Sequence, residues 1–196
     1  MDKKFMYDKN DVKEIIIDGK KFVLYRIVAT TNFLTRNNNY VTYGQKGGYC
    51  AVGSLSLDGL CWVDEKSMVG PGCYISGDAQ VENSCLAHDC TLGERAVVSN
   101  SKIYPAFNAT LRQNSRVYDS EIRGSLQMKE DASIIDSKVK GRLQMEGQTY
   151  LIDSEIVTSG NGIVMVGGSK LTNVEVHGKG TVGISKLIIK DKTKAV

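Results

Sequence analysis

The feature that most constrains the fold of this chain is an internal repeat that begins near residue 83. Six segments share one template, in which Asn or Asp is followed by a small residue, a variable residue and an aliphatic residue. Their aliphatic members, spaced by 17, 19, 17, 17 and 20 residues, are Leu86, Ile103, Ile122, Val139, Ile156 and Val176. Repeats of this length are typical of stacked units, because no single unit can bury its own apolar face.

Two further apolar series lie inside each period and repeat with the same steps. They are Leu92, Leu111, Met128, Met145 and Met165, and Val98, Val117, Ile134, Leu151 and Leu171. Upstream, inward apolar residues are spaced by six, at Val63, Val69, Ile75 and Val81. Small residues two positions before the aliphatic ones are also predicted to point inward, among them Cys61, Ser67, Cys73, Ala79, Cys90 and Ala96. Three inward columns predict three short strands per coil, with each apolar side chain stacked on its equivalent in the next coil. We therefore predict an all-β, single-stranded β-solenoid, with triangular coils of 17–18 residues and a small N-terminal β-hairpin cap.

The variable position of the template is predicted to face outward and to form a ladder of alternating charge. In successive coils it is occupied by Lys102, Glu121, Lys138 and Glu155. Gln127 and Gln144 are predicted to stack in the same way on another face. Exposed pairs of this kind contribute only tenths of a kcal/mol each, so we interpret the ladder as a solvated face.

The ends of the chain are predicted to differ from the repeat. Residues 14–30 are typical of a β-hairpin, because Asp18-Gly19 separates two β-rich runs. Residues 32–48, which include Gly47 and Gly48, are predicted to form a loop. We divide the chain into an N-terminal hairpin and loop (1–48) that caps the stack or mediates oligomerisation, a β-helix (49–190) and a polar tail (191–196).

The spacing resembles that of the hexapeptide-repeat family, whose fold is the left-handed β-helix, and the left hand is implied by that resemblance alone. Gly47-Gly48-Tyr49, Leu55-Ser56, Gly59 and Cys61-Trp62-Val63 also resemble a run found in the YdcK-like proteins of bacteria and prophages. This second resemblance covers roughly residues 15–100. It implies the same fold and a phage or prophage origin, but no settled activity.

Composition excludes several classes of function. The net charge of +3 is too small for a nucleic-acid footprint. No apolar run is long enough for a signal peptide or a membrane span. Five cysteines without a Cys-x-x-Cys pair argue against a disulfide framework or a zinc site. We expect a cytoplasmic protein without a cofactor or a metal.

Catalysis remains an open alternative. Many hexapeptide-repeat proteins are acyltransferases that use acyl-CoA and a histidine as general base. His88, with Asp89 beside it and Glu94 nearby, is the better candidate for that role. His177 lies five coils away, about 24 Å at the spacing of β-strands, so the two histidines cannot share a site within one subunit.

Two insertions predict a binding edge. They fall at one corner, after Ile103 and after Ile156, with two cationic residues in the coils between them. The candidate binding residues are Tyr104, Phe107, Asn108, Arg123, Lys140, Ser159 and Asn161. Loops on a rigid scaffold often carry binding, so we expect a groove for an anionic small molecule or a protein partner. The alternative is that the loops bulge only where they are tolerated.

The function that these features favour is that of a non-catalytic binding or scaffold protein, acting as a homo-oligomer, either a trimer or a dimer. An acyltransferase using His88 and a nucleotide- or metabolite-sequestering protein are the alternatives. We expect no nucleic-acid partner and no membrane.

Overall fold

The computed structural model describes residues 3–17, 19–87, 90–93 and 95–99, and beyond these the strands named below with a few adjoining positions. The described residues form β-strands, turns and bends, and contain no helix. None of them therefore belongs to a helix with the length and apolar character that a membrane crossing requires.

The strands are long at the N-terminus and short thereafter. The first five are β1 (Phe5–Ile17), β2 (Lys20–Ala29), β3 (Phe33–Leu34), β4 (Tyr40–Val41) and β5 (Lys46–Cys50). The next nine are β6 (Trp62–Val63), β7 (Met68–Val69), β8 (Tyr74–Ile75), β9 (Gln80–Glu82), β10 (Cys85–Leu86), β11 (Cys90–Leu92), β12 (Val97–Ser99), β13 (Lys102–Ile103) and β14 (Ala109–Leu111).

The remaining strands follow the same rhythm. The next seven are β15 (Arg116–Val117), β16 (Glu121–Ile122), β17 (Leu126–Lys129), β18 (Ser133–Ile135), β19 (Lys138–Val139), β20 (Leu143–Glu146) and β21 (Tyr150–Ile152). The last seven are β22 (Glu155–Thr158), β23 (Ile163–Val166), β24 (Lys170–Thr172), β25 (Val174–Gly178), β26 (Val182–Ile184), β27 (Ile188–Ile189) and β28 (Thr193–Ala195).

From β6 onward, consecutive strands belong in turn to an 8-stranded, an 11-stranded and a 7-stranded sheet. Their pairing is parallel and confirms the register of the three predicted columns. Leu86 lies opposite Ile103, Leu92 opposite Leu111 and Val98 opposite Val117, and later members pair in the same way. Of the outer ladder, Lys102 lies opposite Glu121, Lys138 opposite Glu155 and Gln127 opposite Gln144.

The predicted fold class, a left-handed β-solenoid with 17–18-residue coils and a small hairpin cap, is wrong. The strands form separate sheets, and the largest sheet is mixed, because β1, β2 and β5 pair antiparallel before parallel pairing begins at β7. A separate two-stranded sheet, β3–β4, is antiparallel. Residues paired in parallel lie 17 to 20 positions apart, as in Cys85 with Lys102 and Leu55 with Ile75. A repeat period reports which residues recur, but it carries no information on antiparallel partners.

The core follows the predicted inward columns. Val63, Val69, Ile75, Leu86 and Leu92 are fully buried, and burial of side chains of this size stabilises a fold by about 1.5–3 kcal/mol each. The small residues two positions before the aliphatic ones are also buried, as predicted. They are Cys61, Ser67, Cys73, Ala79, Cys90 and Ala96. All five cysteines are free thiols.

Residues 32–48 contain strands where a loop was predicted. Gly47 and Gly48, both within the predicted loop, lie inside β5. A Cβ atom at Gly48 would lie 2.6 Å from the carbonyl oxygen of Ser67, and one at Gly47 would lie 2.7 Å from that of Val63. Glycine at these positions therefore allows β5 to pass close to the backbone of residues 63–67.

Candidate functional site

The outward face of the 8-stranded sheet is unexpectedly buried at its N-terminal end. Trp62, Gln80 and Val97 alternate with inward-facing valines, so strand geometry predicts that they face solvent. Their exposed fractions are nevertheless only 5%, 2% and 7%. The hairpin formed by β3 and β4, residues 33–41, covers part of this face, because Phe33 packs against Trp62, and Thr35 and Asn39 line a cleft together with Gln80.

Three contacts join this hairpin to the 8-stranded sheet and the loop that precedes β12. The Phe33 ring meets the Trp62 ring edge-on, with centroids 5.5 Å apart. Arg36 Nη1 donates a hydrogen bond to the carbonyl oxygen of Arg95 at 2.8 Å. Asn37 Nδ2 donates to Glu82 Oε1 at 3.1 Å. The hairpin is thus held over the strands of three successive levels of the sheet.

A cleft of about 230 Å³ lies between the hairpin and the sheet. Its lining residues are Thr35, Asn39, Trp62, Asp64, Gln80, Val81 and Glu82. The register of β6 and β9, in which Val63 lies opposite Val81, places the two acidic residues at equivalent positions on neighbouring strands. Their backbones are therefore separated by about 4.8 Å, the spacing of paired strands.

Both carboxylates act as hydrogen-bond acceptors. Asp64 accepts from the Ser67 hydroxyl and, at 2.9 Å, from the backbone N–H of Asn83, while Glu82 accepts from the Asn37 amide. Within the described residues, neither carboxylate forms a salt bridge. The residues that line the cleft therefore include two acidic side chains and no basic one.

Several polar groups of the lining lack a partner within the part of the chain described. The Gln80 amide donates one long bond, 3.4 Å, to the carbonyl oxygen of Leu60, and its own carbonyl oxygen accepts none. The Trp62 indole N–H has no acceptor. The buried Thr35 hydroxyl accepts from the backbone N–H of Asn39 at 3.2 Å but donates to no group. Buried polar groups are rarely left unpaired, so these three indicate a place for a bound molecule.

A second polar cluster joins the N-terminal hairpin to β5. Asp11 accepts hydrogen bonds from Tyr49 Oη at 2.7 Å, Lys46 Nζ at 3.1 Å and Arg26 Nε at 3.3 Å. The Tyr49 hydrogen bond, followed by that from Lys46, lowers the pKa of the Asp11 carboxyl group. The Arg26 guanidinium lies 3.9 Å above the centre of the Tyr49 ring. Tyr49, Lys46 and Arg26 all donate to Asp11, so the cluster joins β1, β2 and β5.

A buried lysine and a buried cysteine meet at the end of the core. Lys4 Nζ donates to the carbonyl oxygen of Gly59 at 3.1 Å and to Cys61 Sγ at 3.2 Å. Burial raises the pKa of the Cys61 thiol, and this effect exceeds the opposing influence of the Lys4 ammonium. Cys61 is therefore held as a thiol, which is poorly reactive.

The predicted site residues cannot be placed. Tyr104, Phe107, Asn108, Arg123, Lys140, Ser159 and Asn161 lie outside the described residues, as do His88, Asp89 and Glu94. His177 lies in β25 opposite Val157, and its side chain is not among those described.

The sequence-based reasoning missed the cleft because its lid was taken for a loop. The available signal was the pairing of two outward-facing residues, Trp62 and Gln80, that are unusual on a solvated strand face. Among the described residues, no group of three or more His, Cys, Asp or Glu side chains could hold a metal ion. No protein-family model and no curated protein matches this chain.

Proposed function

We propose that this chain is a non-catalytic binding protein whose ligand is a small polar molecule held in the cleft between the β3–β4 hairpin and the 8-stranded sheet. The observation that carries the proposal is the unpaired carbonyl oxygen of Gln80, a side chain that is 2% exposed. Leaving such a group unsatisfied costs about 1–3 kcal/mol. A ligand that donates a hydrogen bond to it recovers that cost.

The size and construction of the cleft favour a small ligand. A cleft of about 230 Å³ is below the usual range of sites for drug-sized molecules, about 300–1,000 Å³, and suits a single ring. Its floor consists of paired strands, which hold Trp62, Gln80 and Glu82 in fixed register. A rigid floor limits the entropy that binding costs.

Thermal unfolding in the presence of three ligand panels tests the proposal. The panels are neutral sugars and polyols, the cations arginine and spermidine, and the anions phosphate and ADP, all at equal ionic strength. We expect a saturable rise in Tm with one panel in the wild type and in Glu65→Gln, an exposed control, and the same rise only at about tenfold higher ligand concentration in Gln80→Met. A flat response to all three panels, or a rise at equal ligand concentration in Gln80→Met, contradicts the proposal.

Oligomerisation and location are separate proposals that rest on the sequence. We propose a cytoplasmic homo-oligomer, a trimer or a dimer, and a loop-bearing edge at Arg123 and Lys140 that binds an anionic molecule or a protein partner. Free thiols at all five cysteines support a reducing compartment. Light scattering tests the first proposal, and the double variant Arg123→Ala, Lys140→Ala tests the edge, which is contradicted if all binding persists.

A further inference from the structure

We infer that the ligand of the cleft is neutral and polyhydroxylated, about the size of one sugar ring. The inference rests on the proposed function and names the chemical class of its ligand. It comes from the kinds of hydrogen-bonding groups that the lining leaves unpaired, together with its charge.

The lining offers both donors and acceptors. The unpaired donors in the described chain are the Trp62 indole N–H and the Thr35 hydroxyl. The acceptors are the Gln80 carbonyl oxygen and the remaining lone pairs of Asp64 and Glu82. A ligand that satisfies this set must itself both donate and accept, and a hydroxyl group does both.

Charged ligands match the lining less well. An ammonium or guanidinium group carries only donors, so it would leave Trp62 N–H and the Thr35 hydroxyl unpaired. A phosphate or carboxylate group would be repelled by Asp64 and Glu82, neither of which forms a salt bridge among the described residues. A neutral molecule avoids both penalties.

The apolar part of the lining suits a ring with C–H faces. Trp62 supplies apolar surface beside the polar groups. The carboxylates follow neighbouring strands about 4.8 Å apart, so each can accept from a different hydroxyl of one ring. The buried Gln80 amide, which lies opposite Trp62 in this register, can accept from a third.

Isothermal titration calorimetry on the full chain tests this inference. The probes are myo-inositol, glucose and N-acetylglucosamine, compared with arginine, spermidine, phosphate and ADP, in the wild type and in the variants Glu82→Gln, Gln80→Met and Glu65→Gln. We expect at least one neutral probe to bind. Its affinity should fall about tenfold in Gln80→Met, which loses a hydrogen-bond acceptor, and no more than about threefold in Glu82→Gln, because the new amide still accepts.

The outcomes separate the inference from the proposed function. Binding of arginine or spermidine that Glu82→Gln abolishes, with no neutral probe bound, overturns the inference but leaves a binding cleft. Binding of phosphate or ADP that Gln80→Met weakens has the same consequence. No binding of any probe contradicts both, and neutral binding that Gln80→Met leaves unchanged places the ligand elsewhere and also contradicts both.

Discussion

At Gln80, an apolar side chain would favour stability, whereas the polar side chain present favours binding. Its side chain is buried, yet only one long hydrogen bond, to the carbonyl oxygen of Leu60, holds its amide. A residue selected for the fold alone would be apolar at this position, since an unpaired buried polar group is costly.

Replacing Gln80 with Met should therefore leave stability unchanged or raise it, while binding in the cleft weakens about tenfold. Met has nearly the same length and removes the unpaired carbonyl. Urea unfolding measures the effect, and we expect a change within about 1 kcal/mol or a gain. A loss of several kcal/mol would show that Gln80 has a structural role, and would weaken the argument for a ligand.

Gly70 lies so close to the backbone of Ala87 that a residue with a side chain does not fit there. A Cβ atom there would lie 1.7 Å from the carbonyl oxygen of Ala87. We expect Gly70→Ala to destabilise the protein by about 3 kcal/mol or more, because backbone must shift to accommodate the methyl group. Gly93→Ala is the matched control, since its nearest atom would be Ser76 Oγ at 3.6 Å. Similar unfolding midpoints for the two variants would refute this.

Asp11 should make stability depend on acid pH. Its folded pKa is lowered, chiefly by the Tyr49 hydrogen bond, so its contribution is complete above the unfolded value near 3.9. That contribution is lost as pH falls through the folded pKa. In Asp11→Asn the decline in stability between about pH 4 and pH 2 should be shallower than in the wild type. Equal slopes in chemical unfolding across that range would contradict the assignment.

Residue-level prediction from the sequence was most successful where local pattern decides the outcome. The inward columns and the small positions at Cys61, Cys73 and Cys90 followed from period alone, because inward strand residues must be apolar. The burial of Trp62 and Gln80 could not follow from period, since a distant segment covers them.

At the level of elements, the β3–β4 hairpin was the unit that sequence reasoning failed to identify. Its strands have two residues each, too few for an alternating pattern, and Asn37-Asn38-Asn39 indicates only a turn. The hairpin gains its stability from tertiary contacts such as that of Phe33 with Trp62. Such contacts leave no local signal.

Phe33→Ala should loosen the hairpin and expose the indole. Loss of a partly buried ring that packs against Trp62 should cost about 2 kcal/mol and shift the tryptophan emission to longer wavelength. Tyr40→Ala, an exposed ring of the same hairpin, is the control and should change neither. Unchanged emission in Phe33→Ala would show that the hairpin does not depend on this contact.

The N-terminal hairpin was predicted correctly at its turn but not in its extent. Gly19 adopts a positive φ of 73°, as expected after Asp18. The first strand begins at Phe5 rather than at Glu14. The prediction missed the first half of this strand because a bulge between Asp8 and Val12 interrupts the alternation that identifies strands.

For the whole molecule, the mixed sheet makes the N-terminal hairpin part of the fold. β2 pairs with β5, which in turn begins the parallel pairing with β7. Phe5, Ile27 and Ala29 belong to the same core cluster as Val63 and Val69. The sequence predicted the parallel registers but not the fold class, because the partner of a first strand depends on long-range pairing.

Deleting residues 1–30 should therefore leave an aggregating protein. The deletion exposes the edge of β5 and removes apolar side chains from the core, and an unprotected edge pairs with other chains. Light scattering and circular dichroism measure the result. A monodisperse truncated chain that melts at the wild-type temperature would show that the hairpin is dispensable.

Binding of a small polar ligand in the cleft beneath the β3–β4 hairpin should change the fluorescence of Trp62, the one tryptophan in the chain. The wild type and Gln80→Met are titrated with myo-inositol, glucose, N-acetylglucosamine, arginine and spermidine while the emission is recorded. We expect a saturable change in emission with at least one of these probes in the wild type and about tenfold weaker binding in Gln80→Met. Emission that no probe changes, or that changes equally in both proteins, would contradict this expectation.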